Sequence, residues 1–319
     1  TIELLAKNLQ QLHGKGYGLG DLCENLKEKG LLKLDRSLPV RTGYPTKQKE
    51  KYEAVISTMF DLQFNPLGEY ARWLLLQFSV LPAISIEYGL MAEFLQIDDE
   101  TRGLFDETLE DLVERGWLEK KEDGYKIHQV VQEVIREKIK PNGENCGDLV
   151  EGLAWKLRVS DNLGQNPLKK ASFLCFGNEI LVYLEMERTV NVANLYNNIA
   201  LIYHALSNYK QALKFHLKCI AITEEKIHLE FPDLAIFYSN IGTTYYVLGK
   251  YSQALEYQKK AISITDRVLV TKDLFIIQFH SNLATTYRAL GAYDKALYLQ
   301  LKVIKNLEAF LESPRFHLA

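Results

Sequence analysis

The chain has 319 residues, with 38 Lys and Arg against 41 Asp and Glu, and its formal net charge is −3. This length allows two or three domains with their own cores. The nearly balanced charge gives no overall field that would attract nucleic acid or a membrane surface. No signal peptide or apolar run of membrane-spanning length is recognisable. The four cysteines have no CxxC spacing, which argues against a disulfide framework or a zinc site and favours a reducing, cytoplasmic location.

Residues 1–46 are expected to be the remnant of a helical domain. Residues 1–12 have helical spacing, Asp21 is placed to cap a second helix, and the segment 35–46 is typical of a linker. The glycine-rich segment GKGYGLGD between the two helices lacks a Ser or Thr after its Lys, and its glycines miss the GxGxxG spacing. A flexible connection is therefore favoured over a phosphate-binding loop. Thr1 already lies within a helical pattern, so we expect the chain to be a piece of a longer protein.

Residues 47–141 predict a compact helical domain that ends in a β-hairpin. Helices are predicted at 48–62, 68–80, 85–95 and 104–115. Ser85 is placed to cap the third of these helices, and Gly116 is placed to end the fourth. Residues 117–127 predict a strand, an Asp-Gly turn and a second strand. His128 is expected to start a last helix, whose buried side comprises Val130, Val131, Val134 and Ile135.

Helices followed by a small hairpin are typical of a winged-helix domain, which raises the possibility of DNA binding. The helix that would enter the groove, residues 101–115, carries five acidic residues against two arginines. Phosphates would repel this helix, and the hairpin has no net positive charge to anchor it. The sequence therefore disfavours nucleic acid as a partner.

Residues 142–190 predict two further helices, around 148–158 and 168–186. They lack the residues of the repeats that follow; Lys156, for example, stands where the repeat pattern would place an Asn. We interpret this segment as a divergent helical pair that caps a stack of repeats.

Residues 191–319 contain about three copies of one pattern at a spacing of 42 residues. Each copy predicts two amphipathic helices joined by a tight turn, with Gly249 and Gly291 in two of the turns. A single helical pair cannot bury its apolar face, so the copies are expected to stack into an α-solenoid and to continue beyond residue 319. The matching positions hold Asn198, Asn240 and Asn282; Ala200, Gly242 and Ala284; and Tyr203, Tyr245 and Tyr287.

The repeated pattern resembles tetratricopeptide repeats, in particular the longer variant found in kinesin light chains. In that family an apolar residue, a small residue and a Tyr lie on the first helix, and Ala-Leu opens the second. The resemblance implies that this region binds proteins or peptides and performs no chemistry. The fold class is therefore predicted as mainly α, with a hairpin-containing winged-helix domain followed by an α-solenoid.

The order of the domains resembles the C-terminal part of STAND-class signalling ATPases of the NB-ARC type. The most specific segment is LEDLVERGWLEKKEDGYKIHQVVQEVIREKI, in which Ile127-His128-Gln129 stands where the family carries Met-His-Asp. The resemblance implies that His128 contacts the β-phosphate of ADP in the full-length parent and holds the resting state. The alternative is that His128 only meets a nearby backbone carbonyl. Gln129 departs from the family pattern, which puts in doubt any role that needs a carboxylate there.

This chain lacks Walker motifs, so we expect it to be no enzyme and to hold no cofactor or metal itself, with ADP and ATP bound by the parent. The expected partners are the parent's nucleotide-binding domain and a protein or peptide trigger in the concave groove of the repeats, with oligomers forming only on activation. The alternative function is a freestanding repeat scaffold or adaptor.

The first helix of each repeat is expected to line the concave groove. The recurring Asn is the strongest candidate for a partner-binding residue, because an amide can pair with the backbone of an extended peptide. The alternative role for each Asn is to tie neighbouring helices together. The partner-binding residues are predicted to be Asn197, Asn198, His204, Ser239, Asn240, Thr243, Tyr246, Ser281, Asn282, Thr285 and Arg288.

Overall fold

A computed structural model describes residues 64–159, 167–226, 232–268 and 274–311. The chain divides after Gly152 into two compact units. Within the described ranges it contains twelve α-helices and one antiparallel pair of strands, so the mainly α fold class is confirmed. The predicted remnant domain, residues 1–46, and the predicted helix at 48–62 lie outside the described residues.

The first unit contains short helices around one hairpin, in the order that the sequence predicts. The described elements are α1 (Glu69–Ser79), α2 (Tyr88–Phe94), α3 (Arg102–Glu114), β1 (Leu118–Lys121), β2 (Gly124–Ile127) and α4 (Gln129–Ile139). The helix α5 (Gly147–Leu157) follows and spans the boundary between the units. Its start and end agree with the predicted helix at 148–158 to within one residue.

The core of the first unit is formed where α1 packs against α4. The second half of α1 is entirely buried, and Val131, Val134 and Ile135 of α4 are buried as predicted, whereas the Val130 side chain is outside the described ones. Gln132, also buried, donates from Nε2 to the carbonyl oxygens of Phe78 and Leu81 at 3.0 and 2.9 Å. These two bonds provide a donor for the carbonyl of Phe78, in the last turn of α1, and for the carbonyl of Leu81, just beyond the end of the helix.

The hairpin is joined by a third short strand segment that the sequence analysis missed. Leu118 pairs with Ile127 and Lys121 with Gly124, and Ile86 forms a bridge with Tyr125 on the other side of β2. A Cβ atom on Gly124 would lie 2.0 Å from the carbonyl oxygen of Ile86, so only glycine allows this close approach.

The prediction that Ser85 caps the following helix is wrong. The helix α2 begins at Tyr88, and the residue at its N-cap, Glu87, makes no side-chain capping bond. The Ser85 hydroxyl instead donates to the Asp123 carboxylate at 2.8 Å, because the Ile86 bridge holds this segment against the hairpin. Tertiary pairing has therefore overridden a local capping signal.

After the end of α5, the second unit continues with a 3₁₀-helix, one short α-helix and six long helices. The predicted helix at 168–186 is in fact a 3₁₀-helix over Pro167–Phe173 followed by α6 (Leu174–Tyr183). The repeats then provide three antiparallel pairs: α7 (Val190–Ala205) with α8 (Tyr209–Lys226), α9 (Pro232–Val247) with α10 (Tyr251–Val268), and α11 (Leu274–Ala289) with α12 (Tyr293–Leu311).

Small residues let the two helices of each pair approach closely. Ala200 and Ala284 are buried in their pairs, and a Cβ atom on Gly242 would lie 2.7 Å from Cγ of Gln258. The repeated tyrosines pack beside these contacts as predicted: Tyr203 lies on Phe215 with ring centroids 5.4 Å apart, and Tyr245 stacks on Tyr257 at 5.5 Å. The repeats therefore combine close helix packing at the small residues with aromatic packing at the tyrosines.

The three pairs stack one after another with the same pattern of helix contacts. Each second helix packs against the first helix of the next pair, so α8 contacts α9 and α10 contacts α11. The first helices of successive pairs also contact each other, whereas the second helices approach each other less closely. The first helices α7, α9 and α11 therefore lie on the inner side of the stack. An α-solenoid with this arrangement is what the sequence predicts.

The outer face of α12 remains exposed in the described part of the chain. On α8 the next pair buries Ile220 to 4% exposure, but the equivalent Ile304 of α12 is 51% exposed. Leu301 and Leu297 of the same helix are 58% and 57% exposed. The expected continuation of the array beyond residue 319 stays a prediction.

The turns between paired helices require a left-handed backbone. Gly249 and Gly291 have φ of 73° and 75°, and Ser207, at the equivalent position of the first pair, has φ of 59°. A residue with a Cβ atom pays a conformational penalty in this region that glycine avoids. The first turn is therefore strained relative to the other two.

We predict that Ser207→Gly stabilises the chain by about 0.5–1 kcal/mol, because it removes this penalty. The measurement is the free energy of unfolding in urea. The reverse change, Gly249→Ser, is the matched control and should destabilise the chain by a similar amount. An unchanged or lowered stability of Ser207→Gly would show that the left-handed conformation costs nothing here.

Candidate functional site

The accessible side chains of α7, α9 and α11 form a continuous set on the inner side of the stack, which we call the inner surface. They recur at helical spacing along each helix and at the 42-residue offset between helices. The inner surface consists of Asn194, Leu201, His204, Ile236, Asn240, Thr243, Tyr246, Gln278, Ser281, Asn282, Thr285 and Arg288.

Three of the predicted partner-binding residues are buried in the packing of the repeats. Asn197, Asn198 and Ser239 are 6%, 9% and 3% exposed. They offer almost no surface to a partner, so the predicted set narrows to the other eight residues. Sequence spacing placed all eleven on the right helices but did not distinguish the side chains that the adjacent pair covers.

Each repeated Asn donates a hydrogen bond to the segment that precedes its own pair. Asn198 Nδ2 donates to the Ala154 carbonyl oxygen at 2.8 Å, and Asn240 Nδ2 donates to Asn197 Oδ1 at 3.1 Å. Asn282 Nδ2 donates to the hydroxyls of Ser239 and Thr243 at 3.2 and 3.4 Å. The amide nitrogens thus perform the inter-helix role that the sequence left as the alternative.

Of the three Asn residues, Asn198 donates the hydrogen bond whose loss is expected to be the most costly. The Arg158 N–H bonds to Trp155 O rather than to Ala154 O, so the Ala154 carbonyl lacks its usual helical donor at the end of α5. The buried Asn198 amide takes that place. A buried carbonyl without a donor is costly, whereas water can replace a donor lost at a more exposed site.

We therefore predict that Asn198→Ala lowers the free energy of unfolding by about 1–2 kcal/mol, and that Asn282→Ala lowers it by less than about 0.5 kcal/mol. Urea unfolding of the two variants, followed by circular dichroism, makes the comparison, and Asn282→Ala is the matched control for loss of an amide. Equal losses in the two variants would contradict the assigned capping role of Asn198.

Aromatic rings border the inner surface at the end of each first helix. His204 lies edge-on against Tyr209 with ring centroids 5.1 Å apart, and Tyr246 lies against Tyr251 at 5.4 Å. Arg288 is the equivalent residue of the third pair and is exposed. Burial lowers the pKa of His204, so its ring is neutral at pH 7.

A buried histidine that the sequence analysis did not single out lies in the first pair. His216 of α8 is 1% exposed, and neither ring nitrogen has a hydrogen-bond partner among the described residues. Burial lowers its pKa from 6.5 to about 3, with a smaller contribution from nearby His204. Gln258 occupies the equivalent position of the next pair, so the site tolerates an uncharged polar group. The 42-residue alignment of His216 with Gln258 could have indicated this from sequence.

His216 makes the stability of the repeats depend on pH. The folded chain binds its proton more weakly than the unfolded chain, so its contribution is complete above pH 6.5 and is lost as the pH falls from there towards 3. We predict a loss of about 2 kcal/mol between pH 7 and pH 5. Urea unfolding at both pH values should show this loss, and His216→Gln should remove most of it. The same pH dependence in the two proteins would contradict the assignment.

His128 lies at the junction between β2 and α4, as predicted. Its side chain is exposed, and its carbonyl oxygen accepts the Gln132 N–H of the first turn of α4. The first turn of α4 contains no acidic residue. The side chain therefore stands beside a helix N-terminus, where the partial positive charge favours an anion.

The described residues contain no group of three or more His, Cys, Asp or Glu side chains that could hold a metal ion. Cys146, Cys175 and Cys219 are free thiols, while Cys23 lies outside the described residues. Among the helices that the structure describes, none combines the length and the apolar character needed to cross a membrane.

Comparisons with known proteins place the repeats in a family. Tetratricopeptide-repeat models match residues 192–233 and 233–309. No curated protein matches the chain. Solved structures similar to this chain include BtubC (BKLC) from P. vanneervenii, with 16% identity over 70% of this chain and 80% of that chain, at a TM-score of 0.42.

Two further similar structures are described as containing repeats. A putative kinesin light chain of Podosopora anserina with nearly identical TPR-like repeats shares 15% identity over 69% of this chain and 95% of that chain, at a TM-score of 0.43. A STAND protein with a tetratricopeptide repeat sensor from Pyrococcus horikoshii shares 16% identity over 96% of this chain and 54% of that chain, at a TM-score of 0.35. Residues 192–309 of this chain are tetratricopeptide repeats.

Proposed function

We propose that this chain is the regulatory and ligand-sensing part of a cytoplasmic STAND signalling ATPase of the NB-ARC type. In this proposal the repeats bind a protein or peptide trigger on the inner surface. The first unit is a winged-helix domain that helps to hold the ADP-bound resting state of the parent.

The observation that carries the proposal is that one chain contains both a hairpin-containing helical unit and repeats with an accessible inner surface. Tetratricopeptide repeats generally bind protein or peptide partners, and this chain has them over residues 192–309. Leu201, Thr243 and Thr285 occupy the same position in the three pairs and remain accessible, so they form a row along which an extended chain can lie.

The position of His128 supports the nucleotide-sensing part of the proposal. The exposed ring at the N-terminus of α4 is suited to meet a phosphate that the parent's nucleotide-binding domain would supply. Acidic side chains of α3, including Asp106, Glu107 and Glu110, are exposed and give this unit a surface that phosphate-rich DNA would avoid.

The trigger would activate the parent only if it binds the open state more tightly than the resting state, because a ligand with equal affinity for both states shifts neither. The winged-helix domain would supply the opposing bias by contacting ADP through His128. The trigger bound to the repeats would thus favour the open state of the parent, and the winged-helix domain would favour its resting state.

We predict that His128→Ala in the full-length parent speeds ADP release by about 10-fold or more, since it removes a hydrogen bond to a charged phosphate. Stopped-flow release of a fluorescent ADP analogue measures this, and basal signalling should rise in parallel. Glu133→Ala, an exposed change on the same helix, is the control. Unchanged ADP retention in His128→Ala would reject the sensor role and leave the carbonyl-contact alternative.

The alternative function, a freestanding repeat scaffold or adaptor, uses the same inner surface without a nucleotide domain. The sequence encoded upstream of Thr1 would distinguish between these two functions. A GxxxxGK[ST] loop there supports the ATPase parent, and an initiator Met directly before Thr1 supports the scaffold.

A further inference from the structure

The helix α12 carries more exposed large apolar side chains than any other helix that the structure describes. They follow one another at a spacing of mostly three or four residues, so they form one continuous strip along the helix. We call this strip the α12 patch; it consists of Tyr293, Leu297, Tyr298, Leu301, Ile304 and Leu307, which are 38–69% exposed. With about 200 Å² for a fully exposed large side chain, the patch leaves roughly 600–700 Å² of mainly apolar surface in water.

Stacking of another helical pair would cover only part of the α12 patch. Ile304 occupies the repeat position of Ile220, which the following pair buries to 4% exposure. Tyr298, by contrast, occupies the position of Lys214 and Glu256, and both of these stay exposed although a further pair follows them. Tyr298 would therefore remain in water next to a fourth pair of the same kind.

The same comparison applies at Leu301. The equivalent residues of α8 and α10 are Leu217, which is 40% exposed, and Lys259, which is also exposed. Thus α12 is apolar at two outer positions where α10 carries charges. An exposed apolar patch that exceeds the needs of stacking is typical of a protein interface.

The charges beside the α12 patch favour an antiparallel partner helix of the same kind. Asp294 is exposed in the first turn, while Lys302 and Lys305 outnumber Glu308 in the second half of the helix. The cation of Lys295 is directed at a tyrosine ring of α11, 5.6 Å from its centroid. Antiparallel pairing of two copies of α12 would bring each acidic first turn towards the more basic half of the other helix, and it would also oppose the two helix dipoles.

We propose that two copies of this chain associate through their α12 patches, with the two α12 helices antiparallel about a two-fold axis near Leu301. The area of the patch approaches the roughly 800 Å² per partner that a standard interface buries. A two-fold arrangement covers both patches at once and closes the assembly at a dimer. This dimer would form without activation of a parent, unlike the oligomers expected from the sequence.

The dimer would leave both inner surfaces accessible, because α12 contributes no residue to the inner surface. Two inner surfaces held in one assembly can bind a partner that has two copies of the recognised segment more tightly than either surface alone. The pairing itself does not depend on what the inner surface binds.

The first test is sedimentation equilibrium of the whole 319-residue chain. The mass should rise from that of one chain, 36.7 kDa, to twice that value as the concentration increases. An interface of this size is expected to be populated at about 100 µM or below. A single-chain mass at that concentration, or growth beyond the dimer, would overturn the proposal.

The second test replaces two residues of the patch by those that α10 carries at the same positions. Tyr298→Glu combined with Leu301→Lys should weaken dimerisation by about 100-fold or more, because each charge would be buried in the interface. The repeat fold accommodates these residues in α10, and thermal unfolding verifies that the variant remains folded. Leu217→Lys, at the equivalent position of α8, is the matched control and should leave the dimer unchanged. Unaltered dimerisation of the double variant, or equal weakening by Leu217→Lys, would exclude the α12 patch as the interface.

The third test examines the two-fold geometry by oxidation of single engineered thiols. Cys175→Ser first removes an exposed native thiol. In this background Leu301→Cys should form a covalent dimer, because equivalent residues meet at the axis, whereas Leu307→Cys should not, because it lies away from the axis. Both reactions are followed by non-reducing electrophoresis against the Cys175→Ser chain. Equal cross-linking at both positions would indicate parallel helices, and cross-linking at neither would place the axis elsewhere; either result would contradict the proposed arrangement.

Discussion

Burial of each helical pair against the next is the constraint on which the repeat region depends. Two helices alone leave one apolar face in water, so the repeats are stabilised by the contacts between neighbouring helical pairs. The small residues at 200, 242 and 284 allow close packing within pairs, and the amides of Asn198, Asn240 and Asn282 connect each pair to the segment before it. Because the same contacts recur every 42 residues, the first helices of all three pairs lie on one side of the stack.

The sequence predicted the elements of this fold well where periodicity was strong. All six repeat helices, the hairpin and the Gly249 and Gly291 turns lie where the 42-residue pattern and the turn signals indicated. The errors arose where tertiary contacts overrode local signals. The Ile86 bridge displaced the Ser85 cap, and the segment 167–173 forms a 3₁₀-helix that helical spacing alone does not distinguish from an α-helix.

The candidate site was only partly predictable for a similar reason. Helical spacing identifies the side of a helix, but it does not show how far the adjacent pair covers that side, and so Asn197 and Ser239 were included although they are buried. The direction of each hydrogen bond is also invisible in a sequence. The amide nitrogens of Asn198, Asn240 and Asn282 face the preceding segments, and helical spacing alone does not show this.

The exposed outer face of α12 has a consequence for the physical behaviour of the chain. Leu297, Leu301 and Ile304 present apolar area to water, and Ile304 does so where the equivalent Ile220 of the first pair is buried. Hydrophobic contacts strengthen on warming from low temperature, whereas attraction between exposed charges is weakened mainly by salt. Cooling rather than added salt is therefore the condition that weakens contacts between this exposed helix face and other apolar surfaces.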